Sequence, residues 1–194
     1  SVEAADVSGN PSAVASHPLV LLADEPPSGE LSVAPEGGIL PNHLLSITVT
    51  AADDHGLHAA HLTASGAVQG QWSLALQGTA ATAGTSVRVP PGAAAGTQVV
   101  VSGEVEDTLG RRSALTPRVV AVLPDLEPPL VTLVEPSSGA EVTAGDAVTV
   151  RIGLEDGVEV VTAGLLVGGE PVPVAIGPAQ LPGDAWTAEA SGSW

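Results

Sequence analysis

The sequence repeats itself with a period of 101 residues, and this repeat constrains the fold more than any other feature. Laid without gaps over the stretch beginning at Ser102, the N-terminal stretch places Ser1, Glu3, Asp6, Gly9, Ser12 and Ala13 on Ser102, Glu104, Asp107, Gly110, Ser113 and Ala114. The register continues with Leu22, Asp24, Pro27, Val33, Pro35, Gly38, Thr48 and Val49 on Leu123, Asp125, Pro128, Val134, Pro136, Gly139, Thr149 and Val150. Asp, Gly and Pro punctuate turns, so their recurrence repeats the placement of loops and not just of apolar bulk. A unit of this length is a small domain, far longer than one turn of a solenoid.

Composition sets the boundaries. Leu22-Ala-Asp-Glu-Pro-Pro27 and Leu123-Pro-Asp-Leu-Glu-Pro-Pro129 are acidic and proline-rich, and paired prolines cannot continue a sheet ladder, so both read as short stiff linkers. One complete domain is expected over 25–124. Residues 1–24 are expected to be the last strand and a half of a preceding domain, and 125–194 the opening part of a following one that stops before any equivalent of Thr97 to Leu123.

Within the unit the apolar period is two, which is the strand period. Val148, Val150, Ile152 and Leu154 point one way while Thr149, Arg151 and Gly153 point the other; Ile47, Val49 and Ala51 repeat the arrangement. Thr97 to Glu106 puts Val99, Val101, Gly103 and Val105 on one face, and Leu130 to Val134 gives Val131 and Leu133 a common face. Further strands are predicted at His58 to Ala64, Trp72 to Leu76, Ser86 to Val89 and Ser113 to Leu123. No helical stripe is sustained anywhere. Short strands with regular Gly, Pro, Asn and Asp turns predict an all-β fold built from two-sheet antiparallel sandwiches, with an up-and-down barrel as the alternative.

The chain of 194 residues carries 22 acidic residues against five basic ones, all Arg, for a net charge of −17. Such a polyanion cannot neutralise a phosphate backbone, which argues against nucleic acid and anionic membrane surfaces as partners. No apolar run approaches the roughly 18 residues of a membrane helix, and Ser1 opens no charged-then-apolar signal segment. At 44% hydrophobic residues there is enough to pack a core, and with three Trp as the only aromatics that core must be aliphatic. Zero Cys removes disulfides, zinc–thiolate sites and thiol catalysis together. The scarcity of Lys, Phe, Tyr and Met beside abundant Ala, Gly, Val and Pro points to a GC-rich, bacterial coding sequence.

Val2-Glu-Ala-Ala-Asp-Val-Ser-Gly-Asn-Pro-Ser12 resembles the strand-ending pattern V-x-A-x-D-x-x-G-N-x-S of the tandem immunoglobulin-like repeats of large bacterial surface proteins and adhesins. Gly103-Glu-Val-Glu-Asp-Thr-Leu-Gly-Arg-Arg-Ser113 keeps Asp107, Gly110 and Ser113 but has Arg111 where that pattern has Asn. The linker Asp125 to Pro129, the turn Asp53-Asp-His-Gly56 and its shortened form Glu155-Asp-Gly157 extend the likeness over nearly the whole chain. The resemblance implies Ig-like sandwiches laid head to tail, an extracellular or cell-surface location, neighbouring repeats as partners and a host or surface ligand. It also implies Ca²⁺ at domain junctions. Hard cations take six to eight oxygen ligands, and the linker acids (Asp24, Glu25; Asp125, Glu127), the Asp-x-x-Gly turn (Asp6; Asp107) and the acidic turn (Asp53, Asp54; Glu155, Asp156) are the expected donors. The plainer reading is that these Asp residues bond their own turns.

His55, His58 and His61 do not converge as they would on a helix, because strand residues three apart face opposite sides. The chain contains no G-x-S-x-G elbow, no H-E-x-x-H and no phosphate-binding glycine loop, so it is read as non-enzymatic. Trp72 is expected in or at the edge of the core. Neither Asn10 nor Asn42 lies in a glycosylation acceptor, while the Ser and Thr of 78–85 are candidates for glycans. The leading expectation is a structural segment of a stalk, adhesin or surface fibre. Two alternatives stand beside it: a filament subunit polymerising by strand complementation between copies, and a spacer of a secreted enzyme.

Overall fold

The computed structural model describes residues 2–14, 16–21, 23–167, 169–178 and 180, and the backbone of 186–193. The described residues form strands and turns with no helix, and every ladder between strands is antiparallel. Residues 28–121 make two sheets. One orders β1 (Ser28–Ala34), β2 (Leu44–Ala52) and β5 (Ala80–Arg88) as β1-β2-β5; the other orders β3 (Leu57–Gly66), β4 (Gly70–Ala75), β6 (Gln98–Asp107) and β7 (Arg112–Ala121) as β4-β3-β6-β7.

Alternation builds the space between them. Leu45, Ile47, Val49 and Ala51 of β2 bury against Val99, Val101 and Val105 of β6 in a single cluster shared with Leu31, Leu62, Leu115 and Val120. This is the arrangement of a β-sandwich, with each fully buried aliphatic side chain contributing about 1.5–3 kcal/mol. The inward face of β7 changes parity between Leu115 and Val120 because the strand carries one extra residue, where the register with β6 shifts between Val101 and Gly103. That bulge accommodates Pro117, which has no N–H to give a ladder. Trp72 packs partly buried against the core, as its alternating context predicts.

One flank of the sandwich is bridged at isolated points. Ile39 pairs in parallel with Val122, giving its N–H to Ala121 O at 2.9 Å and accepting from Leu123 N at 2.8 Å, and Arg118 Nε donates to Leu31 O on β1 at 2.7 Å. These contacts occupy part of the edges that β1 and β7 would otherwise present to a foreign strand.

Farther along, β8 (Leu130–Glu135), β9 (Thr149–Asp156), β12 (Ala175–Ile176) and β13 (Trp186–Ser193) order as β12-β13-β9-β8, and β10 (Leu165–Val167) pairs with β11 (Glu170–Val172). Strand β9 lies between β8 and β13 as β2 lies between β1 and β5. Val150, Ile152 and Leu154 form a small core of their own. Val131 and Leu133, expected to share an inner face, are 57% and 58% exposed although they pair with Leu154 and Ile152. Among the described residues of the N-terminal stretch, expected to hold strands, there are bridges at Val2 and between Ala5 and Pro11 but no strand.

Candidate functional site

The acidic turns gather at one pole of the sandwich. Asp53 closes the turn between β2 and β3: its Oδ2 accepts from His55 N at 2.9 Å and Gly56 N at 2.6 Å. The carbonyl of Gly56 accepts from Thr108 N at 2.8 Å, bringing the β6–β7 turn alongside. There Asp107, 1% exposed, accepts from Leu109 N and Arg111 N through Oδ1, both at 2.8 Å. These are Asx-type turns, the use of Asp that local chemistry alone demands.

The turn recurs 101 residues earlier almost bond for bond. Asp6 Oδ1 accepts from Ser8 N and Asn10 N at 2.9 Å each, and Asp6 N donates to Asn10 O at 3.0 Å, as Asp107 N does to Arg111 O at 3.0 Å. Gly9 and Gly110 hold the same left-handed corner, at φ 82° and 84°, where a side chain is costly. The side-chain contacts of the two turns part at Asn10 and its counterpart Arg111. Asn10 Nδ2 donates to Asp6 Oδ2 at 2.9 Å, and this bond, first among several, lowers the Asp6 pKa. Arg111 instead sends its guanidinium to the linker, with Nε 2.8 Å from Asp24 Oδ2. Asp107 Oδ2 is left buried without a hydrogen bond.

Asp24 is therefore docked onto the sandwich by charge. His55 Nδ1 lies 3.3 Å from Asp24 Oδ1 and 3.7 Å from Asp54 Oδ2, and donor atoms of Asp24, Asp54 and His55 all fall within 4.8 Å of one another. The Asp24 contacts lack hydrogen-bond alignment, so both of its oxygens, with Asp53 Oδ1 and Asp107 Oδ2, are buried and unbonded. Unsatisfied buried carboxylate oxygens are hard donors and fit a hard cation; Arg111 already supplies positive charge to the same carboxylate.

The other candidate ligands are placed elsewhere. Asp125 Oδ1 accepts from Glu127 N at 3.1 Å and Asp156 Oδ1 from Val158 N at 2.7 Å, both as turn caps. Glu25 and Glu127 are exposed, and Glu155 stands in the ladder opposite Leu130. Among the described residues these form no metal-capable group. At the far pole the contact is instead Asn42, 2% exposed at φ 65°, whose Nδ2 donates to Val158 O at 3.1 Å while Arg88 donates to its carbonyl. No sequence motif announces that role.

A second polar constellation crosses the outer face of the four-stranded sheet. Ser73 on β4 lies 3.3 Å from His61 Nδ1 on β3, and His61 Nε2 lies 3.1 Å from Glu106 Oε2 on β6. Arg112 on β7 contacts Glu106 at 2.8 Å and Glu104 at 2.5 Å. The hydrogen bond from His61, reinforced by the Arg112 charge, holds the Glu106 carboxyl below the ordinary range. A depressed carboxyl contributes stability above the unfolded value, about 4.3, and loses it as pH falls through the folded value. The urea midpoint of wild type should exceed that of Glu106→Gln above about pH 5, and the gap should close as the solution is acidified. A gap that stays constant down to about pH 3 contradicts this.

Compared with models of known protein families the chain matches none, and a comparison with curated proteins returns no match.

Proposed function

We propose that the chain is a non-enzymatic structural segment, built of Ig-like sandwiches laid head to tail in an extracellular bacterial stalk or surface fibre. The observation that carries this reading is the turn that recurs at Asp6 and Asp107 with the same hydrogen bonds, since a repeated bond pattern in loops implies a repeated unit. Grouping the first, second and fifth strands in one sheet and the third, sixth and seventh in the other supports an immunoglobulin-type unit, with β4 beside β3 rather than β5. The contacts at both poles support stiffness. Asp24 ties the incoming linker to one end and Asn42 reaches Val158 at the other, and strands of about ten residues separate these ends by roughly 33 Å.

Stiffness is tested by small-angle scattering of the whole chain. Arg111→Ala together with Asn42→Ala should broaden the distribution of interatomic distances; identical curves would discard the docked-pole account.

Calcium enters this reading at one pole only, at Asp24 and Asp54 beside His55, in competition with Arg111. Arg111→Asn, which restores the residue found at Asn10, should raise calcium affinity in a calorimetric titration. Absence of binding by both proteins would remove calcium from the account.

Strand complementation between copies is the second reading. It is favoured by Leu19 and Leu21, 95% and 98% exposed, where the aligned Val120 and Val122 are buried. Mass-dependent sedimentation should show assembly as concentration rises, and a monomer at every concentration would discard it.

A further inference from the structure

We propose that Ser73, His61 and Glu106 form a nucleophile, base and orienting carboxylate that accept an acyl group from activated esters. The three residues come from three adjacent strands, β4, β3 and β6, and the outward face of the sheet brings them into one hydrogen-bonded line. Ser73 and His61 border a groove of 840 Å³ that is also lined by Glu104, Gln71 and Thr63. Gly103 is needed at its floor, since a Cβ there would come within 2.3 Å of His61 O.

Proton positions follow from the partners. Glu106 lies 2.8 Å from the Arg112 guanidinium, and a carboxylate paired in this way only accepts. His61 Nε2 therefore carries the proton that it gives to Glu106. Nδ1 keeps its lone pair, and the Ser73 hydroxyl donates to it. This is the orientation in which an imidazole can remove a proton from an attacking hydroxyl.

In the acylation step Ser73 Oγ bonds the ester carbonyl carbon as the bond from that carbon to the leaving oxygen breaks. The Ser73 proton passes to His61 Nδ1 and then to the departing alkoxide, so the products are an acyl-Ser73 ester and an alcohol. Water repeats the sequence with His61 as base, releasing the acid and regenerating Ser73. Glu106 touches no reacting atom and is a positioning residue, held in turn by Arg112. Ser73 sits within a strand with no identified oxyanion donor, and general-base assistance alone gives about 10²- to 10⁴-fold. Acylation should thus outrun deacylation and appear as a burst followed by slow turnover. The net charge of −17 favours neutral or cationic acyl donors over anionic ones.

The test uses the whole chain with p-nitrophenyl acetate and, separately, a fluorophosphonate probe, read by intact mass and peptide mapping. One equivalent on Ser73 is expected, absent in Ser73→Ala and at least tenfold slower in His61→Gln, with Ser46→Ala on the opposite sheet unchanged. Glu106, Glu104, Arg112 and His58 are the charged or titratable groups around His61. Glu106 orients the imidazole, so Glu106→Gln should slow acylation of Ser73, and Glu106→Asp should partly restore it. Labelling spread over several serines, labelling independent of His61, or none at all would overturn the proposal. Any of these would leave the structural reading untouched, whereas the expected labelling would keep its architecture and replace only its non-enzymatic part.

Discussion

Replacing Ile47 by Ala should destabilise residues 25–124 by about 2–5 kcal/mol. Ile47 is fully buried on the central strand of the three-stranded sheet, between Val33 of β1 and Thr85 of β5. Truncation there removes apolar burial and leaves a cavity walled by two hydrogen-bonded neighbours that cannot collapse inward. A domain of this size has about 5–15 kcal/mol in total, and each kilocalorie moves the melting temperature by about 4–8 °C, so a drop of roughly 8–40 °C is expected. Val131→Ala is the matched control, because that side chain is more than half exposed, and it should stay within about 0.5 kcal/mol. Urea and thermal unfolding by circular dichroism check both. Equal, small effects would mean that the sheets do not share the tight core described.

The second large effect belongs to Asp107→Ala, with a loss of about 2 kcal/mol. Two backbone donors, Leu109 N and Arg111 N, lose a charged acceptor, and such bonds contribute about 1.5–3 kcal/mol each. Relief of the unbonded, buried Oδ2 offsets part of that loss. Asp107→Asn keeps one acceptor oxygen and should lose about half as much. The comparison separates turn closure from cation binding. As a turn cap, Asp107 gives the same loss with calcium and with chelator; as a ligand, it gives a larger loss in calcium. Measured in both buffers, no change in either would contradict the hydrogen-bonded turn itself.

Strand positions were legible wherever apolar residues alternate on a half-buried sheet. Val99, Val101 and Val105 lie inward as their spacing predicts, and β6 runs one residue off its expected bounds at each end. The sequence predicts a strand at Ser86 to Val89, whereas β5 spans Ala80–Arg88, because Ala, Thr and Gly differ too little in hydropathy to show a period of two. Residues 2–21 illustrate the converse: their pattern is that of a strand, yet pattern supplies no neighbour to pair with.

The candidate site divides in the same way. Asp-x-x-Gly turns are local chemistry, so Asp6, Asp53 and Asp107 could be picked out from sequence, together with the spacing that puts several acids near one linker. Arg111 could not be assigned a partner, because its guanidinium reaches Asp24, far away in the chain. Spacing along the chain gives His61 no partner, because strand residues three apart diverge. Its partners are cross-strand neighbours, Ser73 and Glu106, which only the pairing of β3 with β4 and β6 brings near.

Hydrogen exchange along the whole chain, read by mass spectrometry in native buffer, tests the autonomy of the sandwich most directly. Amides in the ladders of β1 to β7 should exchange together through one global opening, those of residues 2–21 at once, and those of β8 and β9 through a separate, easier opening. A single opening energy shared by β1 to β9, or protection in 2–21 equal to that of β7, would contradict an end-to-end series of separately folded units.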